Sequence, residues 1–187
     1  MDMELDLSRT VLETTRLVLR PWRQEDLADF YAYASVPGVG ECAGWPHHTD
    51  IQVSQRILDS FIADKNVFAL QHRMSGRVVG SFGVHPSWAN AHAQYAALQC
   101  KEIGYVLAKE HWGQGLATEA ARCVLRWLFE DVGLQAVTVG HFVENDRSRR
   151  VIEKCGFTYV DDSVFHARQL GKDFAEKRYI LLRENYV

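Results

Sequence analysis

Gly113, Gly115 and Ala117 crowd into the stretch EHWGQGLATEA, immediately before a long run of helical apolar periodicity. Glycine costs a helix about 1 kcal/mol relative to alanine, so a chain that needed only a helix here would use other residues. A helix start offers unpaired N–H groups and about half a positive charge, which suits an anion such as phosphate. Glycines just before it let the backbone approach that anion closely. The nucleoside-triphosphate loop GxxxxGK[ST] is excluded, because GQGLATEA carries no lysine. The dinucleotide fingerprint GxGxxG is nearly met by Gly113, Gly115 and Thr118, with Glu144 at the end of the following strand. Thr118, however, stands where the third glycine belongs, and only 74 residues (187 minus 113) remain to complete a doubly wound fold. A plain strand-to-helix turn is the structural alternative for such glycines.

Other chemistry-bearing residues are sparser. His85 and His92 have no carboxylate or cysteine at ligand spacing, so no metal is expected. Cys42, Cys100, Cys123 and Cys155 lie far apart without a CxxC pair. Cys123 and Cys155 sit in apolar helical patterns and read as buried thiols in a reducing compartment. The net charge of -3 argues against nucleic acid or an anionic membrane as main partner, since both attract basic patches. The acidic opening MDMELDLSRT is unlike a signal peptide, and no apolar run approaches the roughly 20 residues that span a bilayer. A soluble, cytoplasmic protein is expected, with one domain over residues 1–187 and a loosely ordered segment over 1–13.

The elements that must position the glycine turn follow from periodicity. TTRLVLRPW (Thr14 to Trp22) reads as a strand, and QEDLADFYAYA as a short helix. Asp50 or Thr49 caps a second helix, IQVSQRILDSFIAD. VFALQHR and RVVGSFGVH are strands joined by a tight turn at Met74-Ser75-Gly76. PSWANAHAQYAALQ is an irregular excursion, whose Trp88 and Tyr95 read as exposed aromatics suited to a dimer contact. KEIGYVLA is the next strand. The following helix carries Leu116, Ala120, Val124 and Leu128 four apart, one broad apolar stripe, and ends near Gly133. AVTVGHF is a strand, DRSRRVIEKCG a short helix, and FTYVDDSVFH and KRYILLREN a closing pair of strands. The order predicts a mixed α/β (α+β) domain of about seven strands and about four helices, mostly antiparallel, with one parallel pairing across the strand–helix–strand unit.

EIGYVLAKEHWGQGLATEA followed by VENDRSRRVIEKCGF resembles the GNAT superfamily of N-acetyltransferases, in particular the branch of ribosomal-protein N-terminal (RimJ/RimL-like) acetyltransferases. The likeness extends from about Thr14 to Tyr186. The superfamily's pyrophosphate loop is [QR]xxGx[GA]; Gly115 and Ala117 fill its last two places, but Trp112 stands where Gln or Arg is usual. The resemblance implies a twisted sheet whose central strand pair splays, with acetyl-CoA in the gap. Val106 and Leu107 would meet its pantetheine arm, and Trp112, Gly113, Gln114, Gly115, Leu116, Ala117 and Thr118 would form the pyrophosphate loop. Asn145 would lie near the pantetheine. Ser148 would donate to the leaving sulfur, where many relatives carry a tyrosine. Glu102 would be the general base. GWPHH, with Trp45, His47 and His48, would fall in acceptor-side loops, with Tyr105, His141 and Glu144 as further polar candidates.

The implied reaction is acetyl transfer from acetyl-CoA to a primary amine, either a protein N-terminal α-amine or a small molecule, by a monomer or homodimer without a metal. A non-catalytic acyl-CoA sensor on the same fold and a dinucleotide oxidoreductase are the alternatives. The first needs only the glycine loop. The second would bind NADH rather than coenzyme A.

Overall fold

The computed structural model describes residues 3–186. Eight strands form one sheet: β1 (Leu12–Glu13), β2 (Leu17–Pro21), β3 (Val67–His72), β4 (Val78–Pro86), β5 (Cys100–Leu107), β6 (Ala136–Phe142), β7 (Thr158–Ala167) and β8 (Lys172–Leu182). Four α-helices join them: α1 (Leu27–Ala34), α2 (Ile51–Asp64), α3 (Leu116–Glu130) and α4 (Asp146–Lys154). The spatial order is β1-β2-β3-β4-β5-β6-β8-β7. Among the described residues every pairing is antiparallel except β5 with β6, which excludes a doubly wound parallel sheet.

That exception shapes the site. β5 and β6 pair only where Cys100, Lys101 and Glu102 face Ala136, Val137 and Thr138. Beyond Glu102 the two strands separate, as the resemblance implied. A strand edge leaves N–H and C=O groups unpaired, so the split presents free backbone to whatever fills it.

α3 exists because its apolar stripe has a sheet to cover. Leu116, Ala120, Ala121, Val124, Leu125 and Leu128 are all buried against strand residues such as Leu19, Phe68 and Ile103. Each buried leucine contributes about 1.5–3 kcal/mol of transfer free energy. α2 starts where Asp50 Oδ1 accepts from the N–H groups of Gln52 and Val53, at 2.8 and 3.1 Å. Of the two cap candidates the aspartate does the capping.

Several expectations change. Residues 1 and 2 of the segment expected to be loose lie outside the described residues. The rest of it is anchored: Leu7 is buried in the core, its N–H donates to the Lys65 carbonyl at 2.8 Å, and Leu12–Glu13 adds β1 to the sheet edge. β8 begins at Lys172 rather than Lys177, because Phe174 pairs with Phe165 across the hairpin and stacks on Phe142 at 4.3 Å. The polar sequence of that strand start hid it. Trp88 and Tyr95 are half-buried, not exposed: Trp88 lies beneath the Arg178 guanidinium at 4.5 Å, and Tyr95 stacks on His92. Cys123 and Cys155 are also only half-buried, and among the described residues no cysteine is in a disulfide.

Candidate active site

A cavity of about 750 Å³ opens where β5 and β6 part. The strand residues Glu102 to Leu107 and Val139 to Phe142 form its walls, and the starts of α3 and α4 close one end.

Gly113 and Gly115 stand at that end with φ of +73° and +79°. An L side chain in this left-handed region costs roughly 1–2 kcal/mol, so backbone conformation by itself demands glycine at both positions. A Cβ at Gly113 would meet nothing within 4 Å, so the ground beside the loop is clear. Gly115 is the N-cap of α3 and offers no side chain to its first turn. The leading N–H groups of a helix have no intrahelical partner. The start of α3 at Leu116, Ala117 and Thr118 therefore presents donors and a positive dipole end to the cavity that these residues line.

A long-range clamp holds this loop. Arg16, just before β2, donates from Nη1 to the Gln114 carbonyl at 2.8 Å and from Nε to Glu119 Oε2 at 2.7 Å. Its own N–H donates to Glu119 Oε1 at 2.8 Å. Sequence reasoning missed Arg16, which is 103 positions from Glu119; no local pattern could have paired them. The Gln114 side chain caps the Glu110 carbonyl at 2.8 Å and does not line the cavity. Trp112 donates from Nε1 to the Leu107 carbonyl at 2.9 Å, tying the loop to the end of β5.

At the α4 side, Asn145 caps the helix by accepting from the Ser148 N–H at 3.2 Å, and its Nδ2 donates to the Cys42 carbonyl at 3.3 Å. Ser148 Oγ lies 2.9 Å from the Tyr105 hydroxyl, which reaches it from β5. Burial pushes the Tyr105 phenol well above its usual range, so the hydroxyl stays protonated at every working pH. The two form a hydroxyl pair at the cavity wall.

At the other end lie the titratable groups. Glu102 sits at the last position of β5 that pairs with β6, opposite His85 of β4. Burial raises its carboxyl to about 7; the Trp88 N–H, 3.4 Å from Oε2, and Arg178 oppose the shift, and Glu176 adds to it. Burial lowers the His85 imidazole, and the Lys101 charge does the same. Glu176 of β8 lines the same wall, its carboxyl likewise raised by burial against the pull of Arg178. Its place depends on Gly140, where a Cβ would come within 2.5 Å of Glu176 Oε1. Sequence reasoning did not name Glu176, since β8 is read as a strand only from Lys177, and it read Gly140 only as part of the strand AVTVGHF.

The acceptor-side candidates divide. Trp45 and Tyr105 line the cavity, and so does His141, whose Nε2 lies 3.2 Å from the Tyr179 hydroxyl. His48 does not. It is buried, with Nδ1 2.7 Å from Ser54 Oγ and its ring packed on Phe30 and Trp45. His47 pairs with Glu41 at 2.8 Å, also away from the cavity lining. Both histidines hold the loop together rather than face a substrate. Glu144 is exposed and outside the lining. Among the described residues no three His, Cys, Asp or Glu side chains are grouped as metal ligands, and no helix is long and apolar enough to cross a membrane.

Comparison with known proteins assigns this arrangement. Among curated sequences, the uncharacterized N-acetyltransferase YoaA of Bacillus subtilis is 28% identical over 152 residues, covering 79% of this chain and 82% of YoaA. Among solved structures, a GNAT-family acetyltransferase from Bacillus anthracis superposes with a TM-score of 0.80 at 20% identity, covering 94% of this chain and 99% of that one. The microcin C7 self-immunity acetyltransferase MccE, solved with acetyl-CoA and AMP, gives 0.73 at 17% identity over 90% of this chain and 93% of its own. Residues 16–158 match the family described as the acetyltransferase (GNAT) domain. They contain the split strands, the glycine loop and the Ser148 helix, and the chain belongs to the GNAT family of acetyl-CoA-dependent N-acetyltransferases.

Proposed function

We propose that the protein acetylates a primary amine in a ternary complex, with Glu102 as general base and Ser148 as donor to the leaving sulfur. Acetyl-CoA supplies the activated acetyl thioester. The glycine loop fits its pyrophosphate: two left-handed glycines and an open helix start leave a donor-lined cradle. Val106 and Leu107, on the stretch of β5 that pairs with β4 but not with β6, would give the pantetheine arm a strand edge.

The observation that carries the assignment is Glu102, a half-buried carboxyl that lines the same cavity as that cradle and whose pKa is raised to about 7. An α-amino group has a pKa near 8 and a lysine near 10.4, so the acceptor arrives as an ammonium and must lose a proton. A base tuned close to the working pH is best suited to take it. Glu102 receives that proton directly or through water. Ser148, oriented by Tyr105 and by its own N–H on Asn145, donates its hydroxyl hydrogen bond to the sulfur as negative charge develops there. A serine hydroxyl is a weak acid, so stabilisation by hydrogen bonding, not full protonation, is the role assigned.

The acceptor is the N-terminal α-amine of a protein, in keeping with the RimJ/RimL-like motifs, or a small amine, and the expected setting is the cytoplasm. A thiol-release assay with acetyl-CoA and a panel of free-N-terminus peptides, polyamines and aminoglycosides tests the reading. Amine-dependent thiol release that falls by about 100-fold or more in Glu102→Gln, the usual worth of a general base, is expected. Tight binding of coenzyme A with no turnover on any amine would favour the sensor alternative.

A further inference from the structure

Trp112 opens the glycine loop with an indole where the family motif usually places Gln or Arg. At position 112 the loop therefore brings no charged side chain to an anion, and only its backbone N–H groups are left unless another element supplies one. The guanidinium carbon of Arg147 lies 3.9 Å from the centroid of the Trp112 ring. The indole beneath it is itself fixed by the 2.9 Å bond from Nε1 to the Leu107 carbonyl. Arg147 and Trp112 line the cavity together with Gly113 and Gly115.

The neighbours of Arg147 sharpen its role. Arg149, two residues on, is engaged by Asp146 and Glu153. Arg147 instead contacts the indole face and, at 3.6 Å, Cys42 Sγ. Stacking on an aromatic face uses the flat side of a guanidinium and leaves its edge N–H groups for a second partner. Those edge donors match phosphate oxygens in bidentate geometry, which a lysine ammonium cannot reproduce.

We propose that Arg147, held on the Trp112 indole, is a pyrophosphate ligand of this site and replaces the polar side chain missing from position 112. The proposal rests on the coenzyme A reading of the glycine loop and adds the charged side chain which that loop lacks. It also gives Trp112 a function: the ring is a platform that places a cation from α4 beside the start of α3. Arg150 and Lys154 line the cavity further along α4, so the test must separate the pyrophosphate from the 3′-phosphate.

Calorimetric titration of the full chain with coenzyme A and with 3′-dephospho-coenzyme A makes that separation. Arg147→Ala should weaken both ligands alike, by about ten-fold, the scale of one charge-assisted hydrogen bond. Its salt dependence should be shallower than the wild type's, and its thermal midpoint unchanged. Trp112→Leu should lose a similar factor, and adding Arg147→Ala to it should cost little more, because the platform and its cargo act as one unit. Trp112→Phe, which keeps an aromatic face, should bind within about three-fold of the wild type. Unchanged affinity in Arg147→Ala, or a loss confined to the ligand bearing the 3′-phosphate, overturns the proposal. A wild-type protein that binds neither ligand would instead overturn the coenzyme reading on which it stands.

Discussion

Replacing Glu102 by glutamine should stabilise the protein while it disables the reaction. The carboxyl titrates near 4.5 when unfolded and near 7 in the fold. Between those values the native state binds the proton that the unfolded chain has released. Stability therefore falls as pH rises from about 4.5 to about 7, and levels off above. At 1.36 kcal/mol per pKa unit, the interval of about 2.5 units corresponds to about 3 kcal/mol lost by pH 8. Glutamine fills the same volume, accepts from the Trp88 N–H, and never ionises. Thermal unfolding of both proteins from pH 4.5 to 8.5 reads this directly. At 2–4 °C per kcal/mol for a chain of this size, Glu102→Gln should exceed the wild type by about 6–12 °C at pH 8. The two should converge towards pH 4.5. Amine acetylation by the same variant should fall by about 100-fold or more at neutral pH. A difference in melting temperature that stays flat across the whole range would refute the argument, because it would mean that Glu102 titrates as it does in the unfolded chain.

Glu176 raises Glu102, so Glu176→Gln should move the acid limb of the kcat/KM profile to lower pH. Gly140→Ala, whose Cβ would meet Glu176 Oε1 at 2.5 Å, should displace that carboxylate and alter the same limb; a profile unmoved in both would remove Glu176 from the acceptor wall. Gly115→Val should abolish measurable coenzyme A binding and, with φ at +79°, lower stability by roughly 1–2 kcal/mol; retained affinity would sink the loop assignment. Ser148→Ala should reduce kcat by about 100-fold, the lower end of the range for a lost catalytic donor, with the affinity for coenzyme A held. Tyr105→Phe should reduce kcat less, by about five-fold, the worth of one orienting hydrogen bond. Full activity in Ser148→Ala would assign the sulfur's donor elsewhere.

The glycine loop was legible in the sequence because its causes are local. A helix start needs an amphipathic stripe after it, and a left-handed turn needs glycine, whatever the rest of the chain does. The order of strands and helices was legible for the same reason, and β5 and α3 lie where KEIGYVLA and the stripe from Leu116 put them. Trp112 was visible too as the departure from the family pattern.

Tertiary structure alone decided which distant residues meet. Inserting β8 between β6 and β7 brings Glu176 onto the wall that holds Glu102. Arg16 reaches Gln114 and Glu119 across the sheet, and Arg147 comes to rest on Trp112. Burial, which the sequence does not state, tunes Glu102 towards a base and removes His48 from the substrate side. Local pattern records what a segment can bury or how it can turn. The field and the partners at these side chains are set mostly by segments tens of positions away, as far as 103 for Arg16 and Glu119, whose approach leaves no periodic trace in either one.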